Sequence, residues 1–240
     1  MIFSICPAVQ VVDITHEVEQ FNVQMGAFLL ASAAPHFPVG TVHLAVVDPG
    51  VGGERRPIAV ETKRSLYVGP DNGLLIPAAK RESIRHVYHL TNPSLMLSKI
   101  SSTFHGRDIF APVAAHLACG TPPQETGVEL MDYVHLSFGE PQLDGRGATC
   151  KVIHIDHFGN IITNISQHDA SGLDANAKFV ITSRRSRFQA TLVNAYSNID
   201  PKNFGLIVGS HGFLEIASRE SNASKKLKAK IGDTIRISET

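Results

Sequence analysis

Two rhythms of apolar and polar residues run along this chain, and one gives way to the other near residue 140. Residues 24–34 set Met25, Phe28, Leu29 and Ser32 at helical spacing with Pro35 just past the end, which predicts a helix. Residues 41–47 read as a buried strand, 58–62 and 65–68 as a hairpin about Lys63 and Arg64, and 85–90 as a further strand. Residues 9–14 also read as a strand, behind Pro7 and an apolar, helix-like start at residues 1–5. Residues 109–119 form an apolar helix closed by Gly120 and Pro122. Strands alternating with helices predict an α/β domain over residues 1–139, its mostly parallel or mixed sheet flanked by helices. Residues 139–147 (G-E-P-Q-L-D-G-R-G) read as a linker. Beyond it, short segments at 150–155, 161–165, 178–181, 188–193, 204–208, 213–217 and 234–237 predict a smaller all-β, barrel-like or sandwich domain over residues 148–240.

Composition narrows the classes without choosing one. Lys+Arg and Asp+Glu both number 22, so no net field draws the chain to nucleic acid or to an anionic membrane. No apolar stretch approaches the ~18 residues of a membrane span, and no signal peptide opens the chain, which reads as cytoplasmic. Cys6, Cys119 and Cys150 show neither C-x-x-C spacing nor a framework pattern and are expected as thiols. Twelve histidines are many, yet no H-E-x-x-H or comparable pair marks a metal site.

Polar clusters break the apolar runs at four places. The first is V-V-D-P-G-V-G-G-E-R-R at 46–56, where Pro49 and the glycines stop a strand and leave Asp48 at its end, followed by Arg55 and Arg56. The others are Asp71 with Asn72, His105 with Arg107 and Asp108, and Asp156 with Phe158-Gly159-Asn160. Each has an ordinary use in a turn, a cap or a solvated loop. If Asp, Arg and His meet, however, arginine favours the ionised carboxylate, and carboxylate and imidazole can orient and deprotonate a water. No metal is needed where the electrophile is already activated, as a sulfonium is.

The motifs V-D-I-T-H-E, V-V-D-P-G-V-G-x-x-R-R, G-P-D-N-G-L-L, F-H-G-R-D-I-F, I-D-x-F-G-N-x-x-T-N-I and L-E-I-A occur in that order over nearly the whole chain. In this the sequence resembles the S-adenosyl-L-methionine hydroxide adenosyltransferase family, relatives of the fluorinase and chlorinase. The resemblance implies hydrolysis of S-adenosyl-L-methionine to adenosine and L-methionine, without a cofactor or metal. It also implies a homotrimer with sites shared between subunits. Asp48, Arg55 and His105 match the triad that activates water. Phe158 and Asn160 match adenine contacts, Asp156 and Ser210 match contacts to the methionine ammonium and carboxylate, and Phe21 matches an aromatic wall. Gly106 stands where the halogenases carry a halide-binding serine, and only a short segment joins Arg56 to Tyr67, so water is the expected nucleophile.

Two departures qualify the match. His211 follows Ser210 where the halogenases have arginine. The family pattern also includes a first strand, a ribose-gripping aspartate and most of a first helix, none of which this sequence contains. That departure raises an alternative, a protein that binds adenosine or S-adenosyl-L-methionine without turning it over. A metal-dependent hydrolase, suggested by the histidines, is a third reading.

Overall fold

The computed structural model describes residues 1–174, 177–183 and 186–240. The chain divides into two units, Met1–Ser137 and Phe138–Thr240. The first runs α1 (Ile2–Ile5), α2 (Val23–Ala33), β1 (Val42–Leu44), β2 (Pro57–Thr62), β3 (Leu66–Pro70), α3 (Ile76–Arg81), β4 (Ile84–Leu90), α4 (Ala111–Ala118) and β5 (Gly127–Glu129). Its strands form one mixed sheet in the order β1-β3-β2-β4-β5, in which only β1 and β3 are parallel. The sheet is therefore more antiparallel than the alternation of elements suggests. The tight turn at Lys63–Arg64, closed by Ser65 N–H donating to the Thr62 hydroxyl at 2.9 Å, folds β3 back on β2. Ile58, Ala59 and Val60 are all buried, so both faces of β2 are covered. On one face Ala59, Val68 and Leu90 pack with Ile109, Phe110, Val113 and Leu117 around α4.

The predicted helix at 24–34 is α2. Its Asn22 side chain accepts from Met25 N–H at 2.9 Å, and Ala27, Phe28, Leu30 and Ala31 are buried. The strand expected at residues 9–14 does not form. A strand needs a ladder partner, and a groove of about 560 Å³ separates this segment from β1, the edge strand of the sheet.

The cysteines require a second correction. Cys6 and Cys119, expected as thiols, are joined in a disulfide 113 residues apart in sequence. Cys6 follows α1 and Cys119 ends α4, and the two helices pack together. Spacing along the chain carries no trace of that proximity. Cys150 alone is a free thiol, and burial pushes it up to about 12.

The second unit runs β6 (Gln142–Asp144), β7 (Gly147–Ile155), β8 (Ile161–Ser166), α5 (Gln167–Ala170), β9 (Lys178–Ser183), β10 (Ser186–Leu192), β11 (Phe204–Val208), β12 (Phe213–Ala217), α6 (Ala223–Leu227) and β13 (Thr234–Glu239). Strands β7 to β13 close into a seven-stranded barrel, ordered 13-9-10-11-12-8-7, with β13 pairing back onto β7. Closure removes the exposed edges that an open sheet would leave. Part of the linker-like stretch is β6, which pairs with β7. The barrel core is mostly aliphatic, with Val152, Ile161, Ile181, Leu206, Leu214, Ile216, Ile235 and Ile237 packed around the rings of Phe179 and Phe204. Ala223 and Leu227 of α6 join this core.

Candidate active site

In the first unit the D-P-G loop and the F-H-G-R-D segment meet. The Arg55 guanidinium grips Asp48 with two nitrogens. Nε lies 3.0 Å from each carboxylate oxygen, and Nη2 lies 2.5 Å from Oδ2. The same Nη2 donates to His105 Nδ1 at 2.7 Å. Guanidinium has no acceptor, so Nδ1 must accept and the ring proton sits on Nε2. Both charged side chains are nearly buried, Asp48 at 6% and Arg55 at 10% exposure. Arg55 also stands over the Phe110 ring at 5.1 Å. A bidentate carboxylate, an imidazole and an aromatic face offset the loss of water around the guanidinium.

The local sequence explains why these groups converge. Gly52 has φ +76, and a Cβ there would lie 2.1 Å from the Ser102 carbonyl oxygen, so the loop approaches residues 101–105 only as glycine. Asn72 donates to the Val47 carbonyl at 2.8 Å and holds the backbone beside Asp48. His105 leads into a single wide turn, Gly106–Phe110, that runs on into α4. Wide turns of this kind recur at functional sites. Asp108, fully buried in that turn, accepts from Arg107 Nε at 2.6 Å and from Ser101 N–H at 2.8 Å. The Arg107 bond, then the Ser101 bond, hold its carboxyl below the usual carboxylate range.

Arg56, grouped with Asp48 in the sequence, belongs elsewhere. It binds Asp71 at 2.7 Å and Asp132 at 3.1 Å, and Asp71 also accepts from Val134 N–H at 2.8 Å. Arg55 and Arg56 are thus neighbours in sequence but hold different loops. Asn72 and Asp108 are positioning residues that the sequence places beside the site without indicating their contacts. Phe21, at 74% exposure, is held in a left-handed conformation (φ +65) just ahead of the Asn22 cap. For a bulky residue that conformation is uncommon and is a recognised feature of functional segments. A hollow of about 320 Å³ is lined by Thr15, His16, Val46, Val47 and Gly106, next in sequence to Asp48 and His105.

In the second unit Asp156 and Asn160 close the β7–β8 turn on each other. Asp156 accepts from Asn160 N–H at 2.8 Å and from its side-chain amide at 2.9 Å. Gly159 has φ +87, and a Cβ there would lie 2.1 Å from the Asn222 side chain, so this turn seats against the loop that caps α6. Phe158 projects from it at 76% exposure. Asp156, Phe158 and Asn160 line a cavity of about 690 Å³ with Tyr196, Ser218 and Asn222. Ser210 is exposed in the turn from Gly209 to Gly212 and does not line that cavity. Tyr196, Ser218 and Asn222 carry no motif of their own and are recognisable only once the loops are folded together. Among the described residues, no group of three or more His, Cys, Asp or Glu side chains could hold a metal ion, and no helix is long and apolar enough to cross a membrane.

A mixed-sheet α/β unit followed by a seven-stranded barrel, with an Asp–Arg–His cluster in the loops of the first unit, defines a two-domain architecture. The SAM hydroxide adenosyltransferase N-terminal domain model matches residues 1–127, and the corresponding C-terminal domain model matches residues 150–236. The chain belongs to the SAM hydroxide adenosyltransferase family. It is 40% identical to the (R)-S-adenosyl-L-methionine hydrolase of Salinispora tropica, over 96% of this chain and 87% of that protein. A fluorinase from an Actinoplanes species is 25% identical over 99% of this chain and 90% of its own length. The crystal structure of an uncharacterized conserved protein from Thermotoga maritima superposes with a TM-score of 0.93 at 38% identity, over 99% of this chain and 92% of that one.

Proposed function

We propose that the chain hydrolyses S-adenosyl-L-methionine to adenosine and L-methionine. The observation that carries this reading is the contact of Asp48, Arg55 and His105, brought together from positions seven and fifty residues away from Arg55. The attacking water forms a bond to C5′ of the ribose as the C5′–S bond breaks. The electron pair stays on sulfur, which leaves as a neutral thioether needing no proton. The single proton to be removed is therefore that of the water. His105 offers Nε2–H to the water oxygen, while Asp48, ionised against Arg55, is the acceptor for its proton. Arg55 holds both in place and touches neither reacting bond.

Phe158 and Asn160 are assigned to adenine, Asp156 and Ser210 to the ammonium and carboxylate of the methionine part, and Phe21 to a wall beside the nucleoside. With its side-chain amide given to Asp156, Asn160 has its Oδ1 left to accept from an adenine amino group. In this reading the active sites of a homotrimer are shared between subunits, and neither a metal nor an organic cofactor takes part. The Salinispora relative's name specifies the (R) sulfonium epimer, and we extend that preference to this chain.

The test is incubation of the purified protein with each sulfonium epimer, with and without a chelator, followed by chromatography. Equimolar adenosine and methionine, unaffected by chelator and faster from the (R) epimer, are expected. Adenosine that binds without ever being formed would instead make the chain a binding protein, and no binding at all would overturn both.

A further inference from the structure

Glu215, the acid of the L-E-I-A motif, has no part in the chemistry above, yet it is only 3% exposed on a barrel strand. Along β12 its neighbours Leu214 and Ile216 enter the barrel core, whereas Ala217 packs outward with Ile199 and Ile207. Glu215 shares that outward face, covered by the connection that carries Tyr196. Both of its oxygens are engaged. The Tyr196 hydroxyl donates to Oε1, and His211 Nε2 lies 3.3 Å from Oε2. Phe213 N–H donates to His211 Nδ1 at 3.1 Å, which assigns the ring proton to Nε2 and makes His211 a donor to the carboxylate. Burial, then the bond to Glu215, pushes the Tyr196 phenol above its ordinary range, so it stays protonated and donating.

These bonds join two loops to one strand. Tyr196 stands half exposed at 50% on the wall of the cavity that Asp156, Phe158 and Asn160 also line. His211 lies beside Ser210 in the following turn. A half-exposed tyrosine on a short connection would ordinarily sample several ring orientations. Charge-assisted bonds to a buried carboxylate fix one of them, at about twice the strength of a neutral pair. We infer that Glu215 is a positioning residue for ligand binding: it fixes the Tyr196 ring as a wall for a flat heteroaromatic group and, through His211, sets the turn that carries Ser210. The inference deepens the nucleoside reading of this cavity and rests on it.

Adenosine affinity by calorimetry, with KM and kcat for the hydrolysis, tests it in Tyr196→Phe, Glu215→Gln and the double variant. Tyr196→Phe keeps the ring and removes only the anchor, so folding is not at issue. Each single variant is expected to weaken adenosine binding about ten-fold, the scale of one charge-assisted bond, and to act on KM more than on kcat. The double variant should bind adenosine no worse than either single one, because on the nucleoside side the two residues act through each other. Unchanged affinity in both single variants, losses that add in the double, or a fall in kcat alone would overturn the inference while leaving the nucleoside reading standing. Failure of the unaltered protein to bind adenosine would overturn that reading, and the inference with it.

Discussion

Arg55 holds the proposed water-handling site together with one planar group, giving two nitrogens to Asp48, one of them also to His105, and a π-face to Phe110. Removing one partner of a nearly buried ion pair costs about 3–5 kcal/mol, so truncating Asp48 would confuse stability with chemistry. Asp48→Asn keeps the shape and an acceptor for Arg55 while removing the charge. It should lower turnover by at least ~10²-fold, as should His105→Ala, with adenosine binding retained; steady-state rates and calorimetry check both. Asp108 ties the turn after His105 to Ser101, and its behaviour in acid follows from its bonds. Its folded-state carboxyl is held low by Arg107 and Ser101, whereas the unfolded chain titrates near the ordinary value of about 3.9. As pH falls, the unfolded state takes up the proton first, so this contribution to stability is complete above about pH 5 and is lost below it. Urea unfolding between pH 3 and pH 6 should show stability rising with pH, with a shallower slope in Asp108→Asn; equal slopes would contradict the assignment.

At the scale of elements, α1 is the plainest case of structure held from outside itself. It is four residues long, buries none of them and has no side-chain cap. A helix that short has no stability of its own in water. The Cys6–Cys119 disulfide holds it on α4 and closes a loop whose removal from the unfolded ensemble is worth about 4–5 kcal/mol by the loop-closure relation. The Cys6→Ser/Cys119→Ser variant should therefore melt lower and lose amide protection at Ile2–Ile5, while α4 exchanges as before. Unchanged exchange at α1 would show that packing alone holds it. The same contrast between local and distant causes explains what the sequence revealed. Strands β7 to β13 were legible because each is a short apolar segment bounded by its own turns. Residues 9–14 have the composition of a strand but no partner, and pairing is not a local property. Asp48 and His105 were recognisable as breaks in apolar runs. The division of labour between Arg55 and Arg56, the disulfide, and the Glu215 anchor all depend on contacts between distant segments, which periodicity does not record.

At the scale of the whole molecule, the proposed site draws Asp48, Arg55 and His105 from the α/β unit and Asp156, Phe158 and Asn160 from the barrel. With sites shared between subunits of a homotrimer, Asp48→Asn and Asp156→Asn chains, each nearly inactive alone, should complement when refolded together. An intact first unit of one chain then meets an intact barrel of another, and random mixing at equal amounts should restore about a quarter of the activity of the unaltered protein. No recovery in demonstrably mixed trimers would place both halves of each site on one chain. In the proposed reaction water attacks C5′ and sulfur leaves. Its most direct test is turnover of S-adenosyl-L-methionine in ¹⁸O-labelled water, with mass analysis of the nucleoside product. Adenosine carrying one ¹⁸O in its 5′-hydroxyl is expected. Adenosine without the label, or a product that still carries the sulfur on C5′, would contradict it.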